Sequence, residues 1–272
     1  MVATDGPRIV RLGVEDAAAG LVLSTEAHWN QTIEDWRFFL SEGFVFGIRD
    51  GARLAATAAL LPYSGNNAWI SMVLVTESHR RRGLATQLVD ACLDTARKER
   101  LTCWLDATPD GVKVYGPLGF IPTSQLRRLK LVSPGHAGTM PAPATLDALC
   151  LRDLRATGLD RTALFSAFAQ RSGSRVVAGD GSIALVRDGR TARHIGPLFA
   201  DDTAAALNLV DAIACSETGP VLLDAVASSG AFLDGLSVAG WTIERPFQRM
   251  RLGSATAMAG EMPFAVAGPE FG

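Results

Sequence analysis

The sequence lacks the features that would place it on nucleic acid or in a membrane. Its 272 residues carry a formal net charge of -2, so no positive field is available to hold a phosphate backbone or an anionic lipid surface. No apolar run reaches the roughly 18 residues that a membrane-spanning helix needs, and the first eleven residues contain no signal-peptide core. We therefore expect a cytoplasmic protein without nucleic-acid or membrane partners.

Cysteine and histidine are also scarce, with four of each. No two cysteines form a Cys-x-x-Cys pair, and no cysteine stands beside a histidine at the spacing of metal ligands. All the cysteines lie in apolar segments, which predicts buried, reduced thiols and no metal site. The residues are Cys92, Cys103, Cys150 and Cys215, with His28, His79, His136 and His194.

Apolar residues make up 48% of the chain and charged residues 20%, a balance typical of globular domains. The length fits one large or two small domains. Hydrophobic periodicity predicts elements of both kinds. These are a strand at 9–12, helices at 14–25 and 33–41, strands at 44–49, 53–61 and 69–75, a helix from 83, a strand at 101–106, a short helix at 111–116 and a last strand within 120–132.

Residues 133–145 contain three prolines and two glycines, which is the composition of a linker. We predict one domain at 1–132 and a second at 146–272. The second half weakly repeats the first, which favours duplication of an α/β unit. The matching positions are Leu105-Asp106-Ala107 with Leu223-Asp224-Ala225, Gly119-Phe120 with Gly240-Trp241, Arg128 and Lys130 with Arg249 and Arg251, and the helix at 84–91 with that at 204–212.

One loop of the first half has the pattern of an anion site. An apolar strand ends at Val75, a polar stretch follows, and Gly83 precedes an amphipathic helix. The first N–H groups of a helix have no partner inside it, and its dipole favours an anion there. Gly83 has no Cβ to hold a pyrophosphate away, and arginines at 80–82 add positive charge. The alternative is a solvated basic turn.

This run, residues 80–85, resembles the cofactor motif Arg/Gln-x-x-Gly-x-Gly/Ala of the GNAT acetyltransferases, with Arg80, Gly83 and Ala85 at the defining positions. The segment 114–120 resembles the Tyr-x-x-x-Gly-Phe segment of the same family, at the expected distance after the preceding strand. The stretch 29–36 and the segment 264–272 are similar to a bacterial subgroup with an added acetyltransferase-like domain.

The resemblance implies an α/β chain of the α+β type. Its first domain would be a GNAT fold, with a mixed, mostly antiparallel sheet splayed at its centre, and its second a degenerate GNAT-like domain. The implied activity is acetyl transfer from acetyl-CoA to a primary amine of a small molecule or peptide, directly within a ternary complex. The implied cofactor-binding residues are Val73, Leu74, Val75, Arg80, Arg81, Arg82, Gly83, Leu84, Ala85 and Thr86.

The resemblance makes Tyr115 the general acid for the departing thiolate, because a phenol's usual pKa of about 10 lies near that of an alkyl thiol. The alternative is a half-buried structural tyrosine. The N–H of Val73 or a neighbour would polarise the thioester carbonyl.

Some relatives place a glutamate on the fourth strand as the base, but here residues 69–73 contain no carboxylate. Asp106 on the next strand is our first choice for the base, and Glu26, His28 and Asp35 follow it. The helical segment near the start of the chain offers candidates for the acceptor pocket, with core or surface roles as the alternative. These are Glu26, His28, Trp29, Asp35 and Trp36.

The second half lacks the arginine loop. Asp201 and Asp202 stand at the matching place, and Asp202 is predicted to cap a helix, so we expect no CoA there. The second domain would support the first or help to shape the acceptor site. The rival hypotheses are a non-catalytic acyl-CoA-binding sensor or partner-binding module, and a scaffold that has lost CoA. The acceptor, the acyl length and the presence of a homodimer stay open.

Overall fold

The computed structural model describes residues 8–133, 140–254 and 262–272, which form two compact units. Unit 1 contains residues 8–62 and 66–104, and unit 2 contains residues 63–65 and the described residues from 105 to 272. Among all these residues, no helix combines the length and the apolar character that crossing a membrane requires.

Unit 1 is a mixed sheet covered by three helices. Its sheet order is β1-β2-β3-β4-β5, in which β1, β2 and β3 are antiparallel neighbours and β4 runs parallel to β5. The strands are β1 (Ile9–Arg11), β2 (Phe44–Asp50), β3 (Arg53–Tyr63), β4 (Asn67–Val75) and β5 (Thr102–Ala107, which crosses into unit 2), and the helices are α1 (Ala17–Glu26), α2 (Ile33–Glu42) and α3 (Leu84–Lys98). The predicted elements are confirmed within a few residues. The helix predicted from 14 begins instead as a 3-10 turn, Val14–Asp16.

Helix α3 matters most for the site because its first turn follows the predicted anion loop. Leu84, Leu88 and Cys92 are buried as the periodicity predicts. Ala91 and Thr95, which the same spacing places near that face, are only half-buried. The buried stripe is instead widened by Val89, Leu93 and Ala96, because residues spaced by three and four lie on the same face of a helix.

Unit 2 is a second mixed sheet. Its order is β12-β6-β11-β10-β9-β8-β7, with β10 and β11 parallel and the other neighbours antiparallel. The strands are β6 (Ile121–Leu131), β7 (Ala142–Pro143), β8 (Arg175–Gly179), β9 (Ser182–Arg187), β10 (Arg193–Ala200), β11 (Val221–Val226) and β12 (Thr242–Leu252). The helices are α4 (Pro109–Tyr115), α5 (Leu146–Thr157), α6 (Thr162–Ala169), α7 (Thr203–Cys215) and α8 (Gly230–Val238).

The predicted repeat is visible in the order of elements. Strand β5, helix α4 and strand β6 correspond to strand β11, helix α8 and strand β12. Strands β6 and β12 have the same length, eleven residues, and the same residue-by-residue sequence of buried, half-buried and exposed positions. The matching positions noticed in the sequence therefore occupy matching places in the fold.

The predicted linker, 133–145, is described only in part, since residues 134–139, including His136, lie outside the described residues. Ala142 and Pro143 form β7, which pairs with β8. The compact units divide between Trp104 and Leu105, because β6 pairs with both β11 and β12. The domain boundary at 133–145 stays a prediction.

All four cysteines are free thiols. Cys92 and Cys103 are buried as expected, and burial raises the pKa of Cys103 to about 11. Cys150 and Cys215 are only half-buried, so the expectation of burial was wrong for these two.

Candidate functional site

Strand β4 is distorted just before the residues predicted to bind the cofactor. Its parallel pairing with β5 runs from Asn67 with Thr102 to Trp69 with Trp104. Three residues later, Met72 has a φ of 51°, in the left-handed region that a methionine seldom adopts. Its carbonyl oxygen accepts a hydrogen bond of 2.9 Å from Thr57 Oγ1, which holds the distortion in place. Residues 73–75, which complete the strand, follow directly on this distortion.

The loop between β4 and α3 has the conformation of an anion cradle. Arg81 and Gly83 both have left-handed backbones, with φ of 60° and 75°. Gly83 caps α3, and the N–H of Gln87 donates to the Gly83 carbonyl oxygen at 3.1 Å. The N–H groups of residues 84–86 precede that bond and point along the helix axis toward the loop, where the dipole places partial positive charge. The loop therefore combines N–H groups that have no partner within the helix with a glycine whose missing Cβ leaves space beside the backbone.

The three arginines of the loop are exposed and supply its charge. Two of them also brace the loop's own backbone. Arg82 Nη2 donates to the carbonyl oxygen of Ser78 at 2.9 Å, and Arg80 Nε donates to that of Val75 at 3.4 Å. Cationic groups beside a helix N-terminus suit a doubly charged ligand such as a pyrophosphate.

Glu26 ties the end of α1 to the start of this loop. One carboxylate oxygen accepts from the Glu77 N–H at 2.7 Å and from Thr76 Oγ1 at 2.7 Å, and the other accepts from Arg53 at 3.0 Å. The hydrogen bonds from the Glu77 N–H and the Thr76 hydroxyl lower the pKa of Glu26. Glu26 was predicted as an acceptor-pocket residue. The structure places it as a brace for the loop, a contact across 51 residues that no local pattern indicates.

The other acceptor-pocket candidates are placed as follows. Asp35 is fully buried and forms a capping box at the start of α2, accepting from the Thr32 N–H at 2.8 Å. Trp36 is also fully buried, and its indole N–H donates to Ser24 at 3.0 Å, so it is a core residue. His28 is exposed and Trp29 is half-buried. For Asp35 and Trp36, these contacts agree with a structural role, which was the alternative to a place in the acceptor pocket.

Tyr115, the predicted general acid, lies at the end of α4 in unit 2 and is half-buried. Its ring meets Phe120 edge to face at 5.9 Å between centroids. A Cβ added at Gly111 would lie 3.0 Å from the tyrosine ring, so the glycine leaves room for it. The ring is thus positioned by packing, while its role in proton transfer stays a prediction.

Asp106, the predicted base, is held in a buried ion pair. Arg249 Nε and Nη2 donate to its two carboxylate oxygens, each at 2.8 Å. Burial raises the pKa of Asp106, and the guanidinium only partly offsets this effect. The side chain is also completely buried, which leaves no exposed oxygen to take a proton from a substrate. The base role stays a prediction, and this geometry works against it.

A second buried ion pair of the same kind joins an aspartate of the second repeat to an arginine of the first. Arg128, in the first repeat, donates to both oxygens of Asp224 in the second repeat, each at 2.8 Å. His194 Nε2 lies 2.9 Å from the same carboxylate. Burial alone would raise the pKa of Asp224, but Arg128 and His194 hold it below its usual value. Sequence matching had aligned both aspartates and both arginines without indicating that each aspartate binds the other repeat's arginine.

The loop of the second half differs as predicted. Asp202 Oδ1 accepts from the Ala205 N–H at 2.8 Å, which confirms Asp202 as the N-cap of α7. Asp201 forms an ion pair with Arg152 at 2.8 Å. A carboxylate at the cap already satisfies the helix N-terminus that an anionic ligand would need.

Comparisons with known proteins agree on one family for both halves. Residues 16–120 match a model described as the acetyltransferase (GNAT) family, and residues 150–262 match one described as an acetyltransferase (GNAT) domain. The chain is 24% identical over 251 residues to the uncharacterised N-acetyltransferase YitH of Bacillus subtilis, over 86% of this chain and 87% of the relative.

Two solved structures share the fold along nearly the whole chain. A candidate acetyltransferase from Pyrococcus horikoshii has a TM-score of 0.83 at 18% identity, covering 99% of this chain and 97% of that one. A tandem GNAT protein from the clavulanic acid biosynthesis pathway has a TM-score of 0.65 at 14% identity, covering 92% and 99%. At such identities the likeness concerns the fold.

Proposed function

Because the chain belongs to the GNAT acetyltransferase family and carries two domains of that family in tandem, we propose that it transfers an acetyl group from acetyl-CoA to a primary amine. The acceptor would be a small molecule or a peptide amine. The observation that carries the proposal is the loop before α3, where a left-handed glycine, the first N–H groups of a helix and three arginines meet.

The space at Gly83 and the positive charge of the loop support a site for the pyrophosphate of coenzyme A. At Gly83 a ligand atom can approach the backbone, since a Cβ built there would meet only the end of the Gln87 side chain, at 3.9 Å. We propose that the N–H groups of residues 83–86 donate to phosphate oxygens and that the arginines at 80–82 balance their charge. The backbone of residues 73–75 would hold the pantetheine arm. Bound acetyl-CoA supplies an activated thioester.

The chain's own groups would then act on the reaction in three ways. The N–H of Val73 would donate to the thioester carbonyl, which stabilises the charge that develops on that oxygen. Holding the amine beside the thioester removes most of the entropic cost of their encounter. Tyr115 would give its proton to the departing sulfur. Asp106 could accept a proton from the amine only if its buried carboxylate became accessible.

The loop assignment is tested by titrating CoA into a Gly83→Asp variant. Aspartate tolerates a left-handed backbone better than most residues, so the fold should persist, while the carboxylate would stand where the pyrophosphate binds. Loss of two charge-assisted hydrogen bonds, each worth about 1.5–3 kcal/mol, should weaken CoA binding about 100-fold or more.

A matched control is available at Gly158, which has almost the same backbone, with φ and ψ of 70° and 6° against 75° and 5° at Gly83. Gly158→Asp should leave the affinity for CoA unchanged. Equal affinities in the two variants would refute the loop assignment.

Turnover of acetyl-CoA with a panel of amines, read as free thiol, then separates an enzyme from a module that only binds acyl-CoA. Binding of acetyl-CoA without turnover of any amine would favour the module that only binds acyl-CoA.

A further inference from the structure

In unit 2, a third segment of chain lies between the parallel strands β10 and β11. The two strands pair directly only from Arg193 with Val221 to Ile195 with Leu223. Beyond that point, Ala265 bridges Leu198 of β10 on one side and Ala225 of β11 on the other. The sheet is therefore continued by a residue that is 67 positions from Leu198 and 40 positions from Ala225 in the sequence.

Backbone hydrogen bonds join this segment to both strands. On the β10 side, the Leu198 N–H donates to the Ala265 carbonyl oxygen at 2.9 Å, and the Phe264 N–H donates to that of Leu198 at 2.9 Å. On the β11 side, the Val226 N–H donates to Phe264 and the Val266 N–H donates to Asp224, each at 3.0 Å. An extended segment that pairs with a strand on each side makes this pattern of main-chain bonds.

The side chains of the segment are built into the core. Phe264 meets Phe232 edge to face at 5.1 Å, and Ala265 is fully buried. Val266 joins a buried cluster with Leu126, Val226 and Phe247.

Strand β10 is adapted to the close approach of this segment. Gly196 has a φ of 157°, and a Cβ built there would lie 2.1 Å from the Val266 carbonyl oxygen. A side chain on β10 at this position would displace the segment, so the glycine is what allows it to enter.

The residues that follow hold the segment in place. Glu270 pairs with Arg187 at 3.2 Å, and Phe271 meets Phe168 edge to face at 5.0 Å. The carbonyl oxygen of Phe271 accepts from the Tyr63 hydroxyl at 2.8 Å. Polar and aromatic contacts of this kind fix a short peptide in one register.

We infer that the cleft between β10 and β11 is a binding site for an extended peptide, and that residues 264–266 are its internal ligand. The inference does not rest on the acetyltransferase activity. While the segment is in place, no other extended ligand can pair with Leu198, so the second half of the chain holds its cleft closed by its own residues.

The test removes residues 262–272 from the chain and supplies them as a labelled synthetic peptide. The shortened chain should bind the peptide saturably with one-to-one stoichiometry, measured by fluorescence anisotropy. A peptide N-methylated at Phe264 loses the donor to Leu198 and should bind about 10-fold more weakly or worse. A peptide N-methylated at the exposed Met262 is the matched control and should bind like the parent. A folded shortened chain that ignores the peptide would overturn the inference.

Hydrogen exchange on the intact chain tests whether the segment occupies the cleft, even if the shortened chain does not fold. The amides of Phe264, Val266, Leu198 and Val226 should exchange as one group, at least about 100-fold more slowly than an unprotected amide. Exchange of Phe264 and Val266 at the rate of an unstructured peptide, with Leu198 still protected, would show that the segment does not occupy the cleft.

Discussion

Tyr115 shows how much of a site can be fixed at the scale of one residue. Its ring is seated against Phe120, and Gly111 provides the space beside it. None of these contacts requires the hydroxyl, so removing that one oxygen should leave the packing intact. A substitution that removes only the hydroxyl therefore tests its role in proton transfer separately from the packing of the ring.

Tyr115→Phe should lower kcat by about 10²–10⁴-fold, the usual contribution of a general acid, with little change in the KM for acetyl-CoA. Steady-state kinetics across pH would measure both constants. Tyr63→Phe is the matched control, since the chain has only these two tyrosines and the Tyr63 hydroxyl donates to the Phe271 carbonyl oxygen at 2.8 Å. Its kcat should stay within about twofold of the parent's. Equal turnover in both variants would leave Tyr115 with a structural role only.

At the scale of elements, the two repeats are joined by exchanged ion pairs. Strand β12 brings Arg249 to Asp106 on β5, and strand β6 brings Arg128 to Asp224 on β11. Both carboxylates are completely buried. Removing the cation from a buried carboxylate strongly destabilises the folded state. Each ion pair therefore favours the arrangement of strands that brings its two partners together.

Asp106→Asn and Asp224→Asn should each lower the free energy of unfolding by about 3–5 kcal/mol, because each leaves a buried guanidinium without its anion. Urea denaturation of the full chain would measure the loss. Asp224 is the control for catalysis, since it belongs to the repeat that lacks the arginine loop. If kcat of folded Asp106→Asn falls 100-fold below that of Asp224→Asn, then Asp106 is the base despite its ion pair.

At the scale of the whole chain, two domains of one family carry two different loops. The first has arginines and a left-handed glycine before its helix, and the second has an aspartate cap. Binding depends on the loop and not on the fold that presents it. In the second domain, residues 264–266 also occupy the cleft between β10 and β11.

We therefore expect one CoA bound per chain. Isothermal titration calorimetry of the full chain should give a stoichiometry close to one, and Gly83→Asp should abolish the heat altogether rather than halve it. The full chain is the correct sample, because β6 from the first repeat lies between β11 and β12 and residues 146–272 alone would lack it. A second CoA per chain, or heat that persists in the variant, would show that the second domain binds cofactor.

The sequence by itself determined the local elements and predicted the anion loop. A helix, a strand or a left-handed glycine depends on side chains a few positions apart, so Gly83 and the order of elements around it could be predicted from spacing alone. Only the tertiary structure decided the long-range partners. Glu26 braces a loop 51 residues away, Arg249 takes Asp106 from 143 residues away, and Ala265 lies between two strands. These contacts depend on how strands and helices pack together. Because the sequence repeats, each aspartate has two equivalent arginines as possible partners. Only the order of strands in the folded sheet decides which arginine it binds.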